Sequence, residues 1–77
     1  MSDFTKLNVN KKAEELMIRE FEVLKHIVTG KSNTEIAKEL SVSVHTIKAH
    51  VASVLHKMRV DDRVQAAVKA IREGLVK

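Results

Sequence analysis

Residues 33 to 52, NTEIAKELSVSVHTIKAHVA, constrain the fold of this chain more than any other stretch. Two amphipathic segments meet through LSVS, about four residues, too few to return one long helix antiparallel to another. Ile36, Leu40, Val42, Ile47 and Val51 must all point inward if both segments are to share one core. Ala37 is small where the two helices would cross. A helix-turn-helix satisfies these requirements together. Ser41 occupies the turn, where Gly would relax the backbone more readily.

The rest of the chain supplies two more helices. It has no Pro and only 2 Gly, and it is rich in Ala, Leu, Glu and Lys, which argues for an all-α domain. In the first segment Ile18, Phe21, Leu24, Ile27 and Val28 recur at helical spacing, and Gly30 sits where a left-handed C-cap belongs. Ser32-Asn33-Thr34-Glu35 opens the second with a capping-box pattern. Ser43 is the expected N-cap of the third, which spans 44–58 and carries Val44, Ile47, Val51, Val54, Leu55 and Met58. Asp62, with Gln65 three residues on, opens the fourth, which stops at Gly74. Residues 1–15 are polar and lack a sustained period, so they read as a tail or linker ahead of one four-helix domain over 16–77. AEEL at 13–16 is expected to begin the first helix or to form its lead-in turn.

Composition narrows function by exclusion. At 77 residues this is one small domain, near the lower limit for an unstapled core. Without Cys there is no disulfide framework and no thiolate zinc site, which suits a cytoplasmic location. His45, His50 and His56 are five and six residues apart, whereas a helix brings together residues three or four apart, so no metal site is expected. No Gly-rich phosphate loop, nucleophile with base or paired catalytic carboxylate is evident, and Asp61 and Asp62 read as helix caps. The expectation is no enzyme, no catalytic residue and no cofactor. No apolar run approaches a membrane span, and the N-terminus lacks an apolar signal region. A net charge of +4 and a pI near 9.6 point to an anionic partner.

That charge is concentrated on the third helix. Between Glu39 and Asp61 the sequence contains no Asp or Glu; Lys48, Lys57 and Arg59 are its only charged side chains. At about 100° per residue, His45, Ala49, Ser53 and His56 lie opposite the Ile47, Val51, Val54 stripe, flanked by Thr46 and Ala52. A major groove about 12 Å wide admits a helix only where its leading side chains are small, and Ala49 and Ala52 are small. Lys48 and Ser53 can hydrogen-bond base edges, and the alanine methyls can pack on thymine methyls. The base-reading set is therefore Lys48, Ala49, Ala52 and Ser53. Ser32, Asn33 and Thr34 open the second helix and offer hydroxyls and unpaired N–H groups to a phosphate, with Lys31 adding charge. Lys57 and Arg59 would reach backbone at the far end of the third helix. His45 and His50 read equally as solvated or core-edge side chains and as groups at the groove.

Read together, these residues resemble the LuxR-type (NarL/FixJ/GerE-like) DNA-binding domain. The resemblance covers residues 16 to about 75, and R-E-x-E-V-L, G-x-S-N-x-E-I-A, T-[IV]-K-x-H and V-x-[DN]-R-x-Q-A occur in order. It implies a bacterial transcription regulator, either a response-regulator effector domain or a standalone regulator, with the third helix in the major groove of double-stranded DNA. It places Lys48, Ala49 and Ala52 over bases, and His45, Thr46, Asn33 and Thr34 on or near the backbone, with His50 either a backbone contact or packed at the helix edge. It also implies a homodimer on an inverted repeat, formed through Val64, Val68, Ile71 and Arg72 of the fourth helix, and RNA polymerase as a further partner. Met17 stands where the family commonly has a Thr or Ser cap, so the first helix is expected to start earlier, through AEEL. Arg59 replaces a frequent Gly, at a cost of about 1 kcal/mol. Sigma-factor region 4 is the nearest rival, but it usually lacks the helix announced by DDRVQAAVKAI. A helical protein-interaction module without DNA binding is the alternative of another class.

Overall fold

A computed structural model describes residues 16–76 as four α-helices. They are α1 (Ile18–Val28), α2 (Asn33–Leu40), α3 (Val44–Met58) and α4 (Arg63–Arg72). The tail at 1–15, and with it most of AEEL, lies outside the described residues. Helix one does not begin through AEEL: Leu16 sits in a bend and Met17 is an extended N-cap with no side-chain cap bond. The carboxylate of Glu20 accepts the Met17 N–H at 3.0 Å, the bond that the N3 acid makes in a capping box, and places a negative charge at the positive end of the helix.

The other three helices start where their polar caps stand. Ser32 and Glu35 form the full reciprocal pair, Glu35 N–H to Ser32 Oγ at 3.2 Å and Ser32 N–H to Glu35 Oε1 at 2.8 Å. Ser43 Oγ accepts from the Thr46 N–H and Asp62 Oδ1 from the Gln65 N–H. All four helices end alike, each through a residue with positive φ (Gly30, Ser41, Arg59, Gly74) followed by an N–H that returns to the carbonyl five residues back. Ser41 at φ 58° and Arg59 at φ 60° accept this strain without being glycine.

Two connected groups of buried side chains form the core. Val23 and Ile27 of α1 meet Ile36 and Ala37 of α2 and Ile47 and Val51 of α3, with Leu40 and Val42 half-buried at the corner. Leu24 meets Val54 and Met58 of α3, Ala66 and Ala70 of α4, and Leu16 and Val76 from the chain ends. Ala66 and Ala70 are fully buried, so their small size lets α4 lie close to α1. Lys69 reaches across and donates to the Met58 carbonyl at 2.7 Å, satisfying the end of α3.

The first apolar stripe is rotated from its expected position. Ile18 is 82 % exposed, while Val23 is completely buried. The inward row is Glu20, Val23, Leu24, Ile27, the i, i+3, i+4, i+7 spacing of one helix face. A charged residue occupies its first position, and a reading that follows only apolar residues therefore slips to Ile18.

Candidate nucleic-acid interface

The turn between α2 and α3 fixes how α3 is rolled. With Ile47 and Val54 completely buried and Val51 nearly so, His45, Lys48, Ala49, Ala52 and His56 emerge on the exposed side of α3. Both alanines and the lysine of the expected reading set share this face. Thr46 and His50 are half-buried on its flank. Thr46 Oγ1 accepts the Ser43 hydroxyl at 3.0 Å, which leaves its own O–H to donate outward.

Ser53 departs from the expectation. Its hydroxyl donates to Glu20 Oε2 at 2.6 Å, so its one O–H donor is turned to α1 and is not presented to a base edge. The Lys57 ammonium likewise lies on Glu20 Oε1 at 2.8 Å, neutralised by a carboxylate that is distant in sequence. One turn apart on α3, these two side chains form a flank distinct from the Lys48, Ala49, Ala52 face. The half-buried His50 lies beside them, lining with Leu16, Met17, Ile18 and Arg19 a shallow depression at the start of α1.

Burial pushes the Glu20 carboxyl up, but hydrogen bonds from Lys57, Ser53 and the Met17 N–H, together with the Lys57 charge, outweigh it and hold the group below the usual Glu range. A carboxyl with a lower pKa folded than unfolded contributes stability that is complete above about pH 4.5 and fades as pH falls below that value. Thermal melts between about pH 3 and pH 6 should therefore show an acid limb that Glu20→Gln flattens. An equally steep limb in that variant would assign it to other carboxylates.

The start of α2 is assembled by three elements. Arg63 of α4 donates to Asn33 Oδ1 at 2.7 Å and to the Lys31 carbonyl at 2.9 Å, bracing the first turn of α2. With its oxygen so held, the Asn33 carboxamide has its NH₂ left to donate. Ser32 serves as the cap, Thr34 is exposed, and the first-turn N–H groups of Asn33 and Thr34 have no intrahelical acceptor. Lys31 is less available than its sequence position suggests, since its ammonium contacts His26 Nδ1 at 3.2 Å and Glu39 Oε2 at 3.3 Å. Arg59 is exposed at the opposite end of α3.

Sequence reasoning missed Glu20 and Arg63. For Glu20 a signal existed, because it completes the heptad-like row with Val23, Leu24 and Ile27 and is therefore an acid on an inward face. For Arg63 only the tertiary approach of α4 to α2 reveals the partner. On α4, Val64, Val68 and Ile71 are 69, 47 and 57 % exposed and Arg72 is exposed as well. The aliphatic stripe therefore does not belong to the core. Among the described residues, no helix is long and apolar enough to cross a membrane.

Comparison with known proteins agrees with this architecture. The family described as "Bacterial regulatory proteins, luxR family" matches residues 14–70. The chain belongs to that family, one of DNA-binding transcription regulators and not of enzymes. It is similar to the transcriptional regulatory protein LiaR of Bacillus subtilis (strain 168), 48% identical over 63 residues that make up 82% of this chain and 30% of LiaR. The transcriptional regulatory protein DegU of Brevibacillus brevis is 42% identical over 74 residues, 96% of this chain and 31% of DegU. The response regulator protein VraR of Staphylococcus aureus (strain NCTC 8325 / PS 47) is 41% identical over 63 residues, 82% of this chain and 30% of VraR. The chain thus spans less than a third of the length of these relatives.

Proposed function

We propose that this chain binds double-stranded DNA sequence-specifically, with α3 in the major groove, as the DNA-contacting part of a bacterial transcription regulator. One observation carries the reading: Lys48, Ala49 and Ala52 share an exposed, acid-free helix face that the core holds in one roll. Small side chains let the helix approach the base edges, and the lysine supplies a donor suited to guanine O6 and N7. Backbone contacts come from Ser32, Asn33 and Thr34 at the start of α2, from His45, Thr46 and His50 along α3, and from Arg59 beyond it. RNA polymerase is a fitting further partner, and the cytoplasm the fitting compartment.

The exposed Val64, Val68, Ile71 stripe with Arg72 supports dimerisation on paired half-sites across a two-fold axis. Val64→Glu and Val68→Glu should each weaken binding to a duplex carrying both half-sites by tenfold or more, about 1.4 kcal/mol, and leave the melting curve in place. Band-shift titrations on one-site and two-site duplexes measure this, and equal binding of wild type and variants to the paired site would remove the dimer.

Selection of bound sequences from random duplexes tests the function itself. An inverted repeat with half-sites about one helical turn apart is the expected product. Absence of any enrichment at low salt would favour a protein-interaction module.

A further inference from the structure

The 21-residue interval between Glu39 and Asp61 excludes acids in sequence, yet folding delivers one to it. Glu20 is 6 % exposed, and both of its oxygens are engaged: Oε1 by the Lys57 ammonium and the Met17 N–H, Oε2 by the Ser53 hydroxyl. Burying a charge in so small a domain is costly, and an apolar residue would continue the Val23, Leu24, Ile27 row more cheaply. Capping α1 explains one of the three bonds. The other two bind side chains 33 and 37 residues away, both on the flank of the helix that faces the groove.

Left free, those two groups would add affinity without information. A lysine on a phosphate strengthens binding to every sequence, and a serine hydroxyl accepts either base pair. Lys57 retains 28 % exposure of its side chain at the rim of α3, within reach of solvent, whereas the Glu20 side chain is only 8 % exposed. The carboxylate is thus a fixed internal counterion, one that a DNA phosphate must displace.

We propose that Glu20 is a specificity-determining residue that withdraws Ser53 and Lys57 from DNA, lowering affinity for DNA of any sequence while Lys48, Ala49 and Ala52 go on reading bases. The proposal rests on the DNA-binding function proposed above. It separates the cations of the α3 region into two kinds. Lys48 acts on the nucleic acid, and Lys57 is balanced within the protein.

Charge-neutral replacements test it. Wild type, Glu20→Gln and the double variant Glu20→Gln/Lys57→Gln are titrated with a random-sequence duplex and with the selected duplex between about 50 and 200 mM salt. Freed by Glu20→Gln, Lys57 should steepen the salt dependence on random duplex by about 0.9 and lower the ratio of selected to random affinity several-fold. The double variant should return to the wild-type slope. A wild-type slope in Glu20→Gln, or a double variant shallower than wild type by about 0.9, would overturn the proposal, because Lys57 would then be contacting phosphate already. Should Glu20→Gln fail to fold, the wild-type protein decides: the ¹⁵N resonance of the Lys57 ammonium should not move on saturation with random duplex, and a shift sinks the idea. Absence of binding by wild type to any duplex removes the DNA-binding reading along with it, whereas binding with the Glu20→Gln slope unchanged removes only the role of Glu20.

Discussion

Lys48→Ala should abolish selection of a specific duplex while the melting curve stays that of wild type. Lys48 is exposed on α3 and makes no ion pair among the described residues, so its truncation leaves the core intact. A lysine bonded to guanine O6 and N7 is worth about 1–3 kcal/mol of discrimination, or roughly 5- to 150-fold in affinity ratio. Affinity for random duplex should fall much less, through loss of a single charge. Parallel titrations of selected and random duplexes measure the ratio. Were the variant to choose the same site at unchanged affinity, the placement of α3 would be wrong.

Ile36→Ala should have the opposite signature, loss of the fold and of binding together. Ile36 is completely buried where α1, α2 and α3 meet, and its truncation leaves a cavity under the helix-turn-helix corner. Such truncations cost about 2–5 kcal/mol, while a core in a domain of this size seldom supplies more than about 3–5 kcal/mol. Circular dichroism should show a transition shifted far down in temperature or absent, and a cooperative melt within a few degrees of wild type would contradict the packing described. Lys48→Ala and Ile36→Ala remove the same activity by different routes, and thermal stability tells them apart.

Much of the fold was legible because local rules agree with the tertiary result. Ser32, Ser43 and Asp62 cap the helices they precede, since a short side-chain oxygen satisfies an orphan N–H wherever the helix is placed. Ile47, Val51 and Val54 face inward because a 15-residue helix with one apolar stripe has only one way to bury it. Which side of α3 is exposed followed from that stripe by geometry alone. Helix one was legible only in part. Glu20 on its inward row broke the apolar pattern, and Met17 gave no hydroxyl to mark the start. Exposure of Val64, Val68 and Ile71 followed only from the family resemblance, because by periodicity an aliphatic stripe reads the same whether it meets a core or a partner.

The sequence by itself therefore determined the helices, the corner between α2 and α3, and which side of α3 bears Lys48, Ala49 and Ala52. These follow from residue size, polarity and a period of about 3.6, all of which act over a few positions. Only the tertiary structure decided which cations and hydroxyls remain available to a partner. Charge is neutralised through space, and Glu20 reaches Lys57 across 37 positions and Arg63 reaches Asn33 across 30. A count of charges along the chain registers Lys48 and Lys57 as equals; the fold pairs one of them and presents the other.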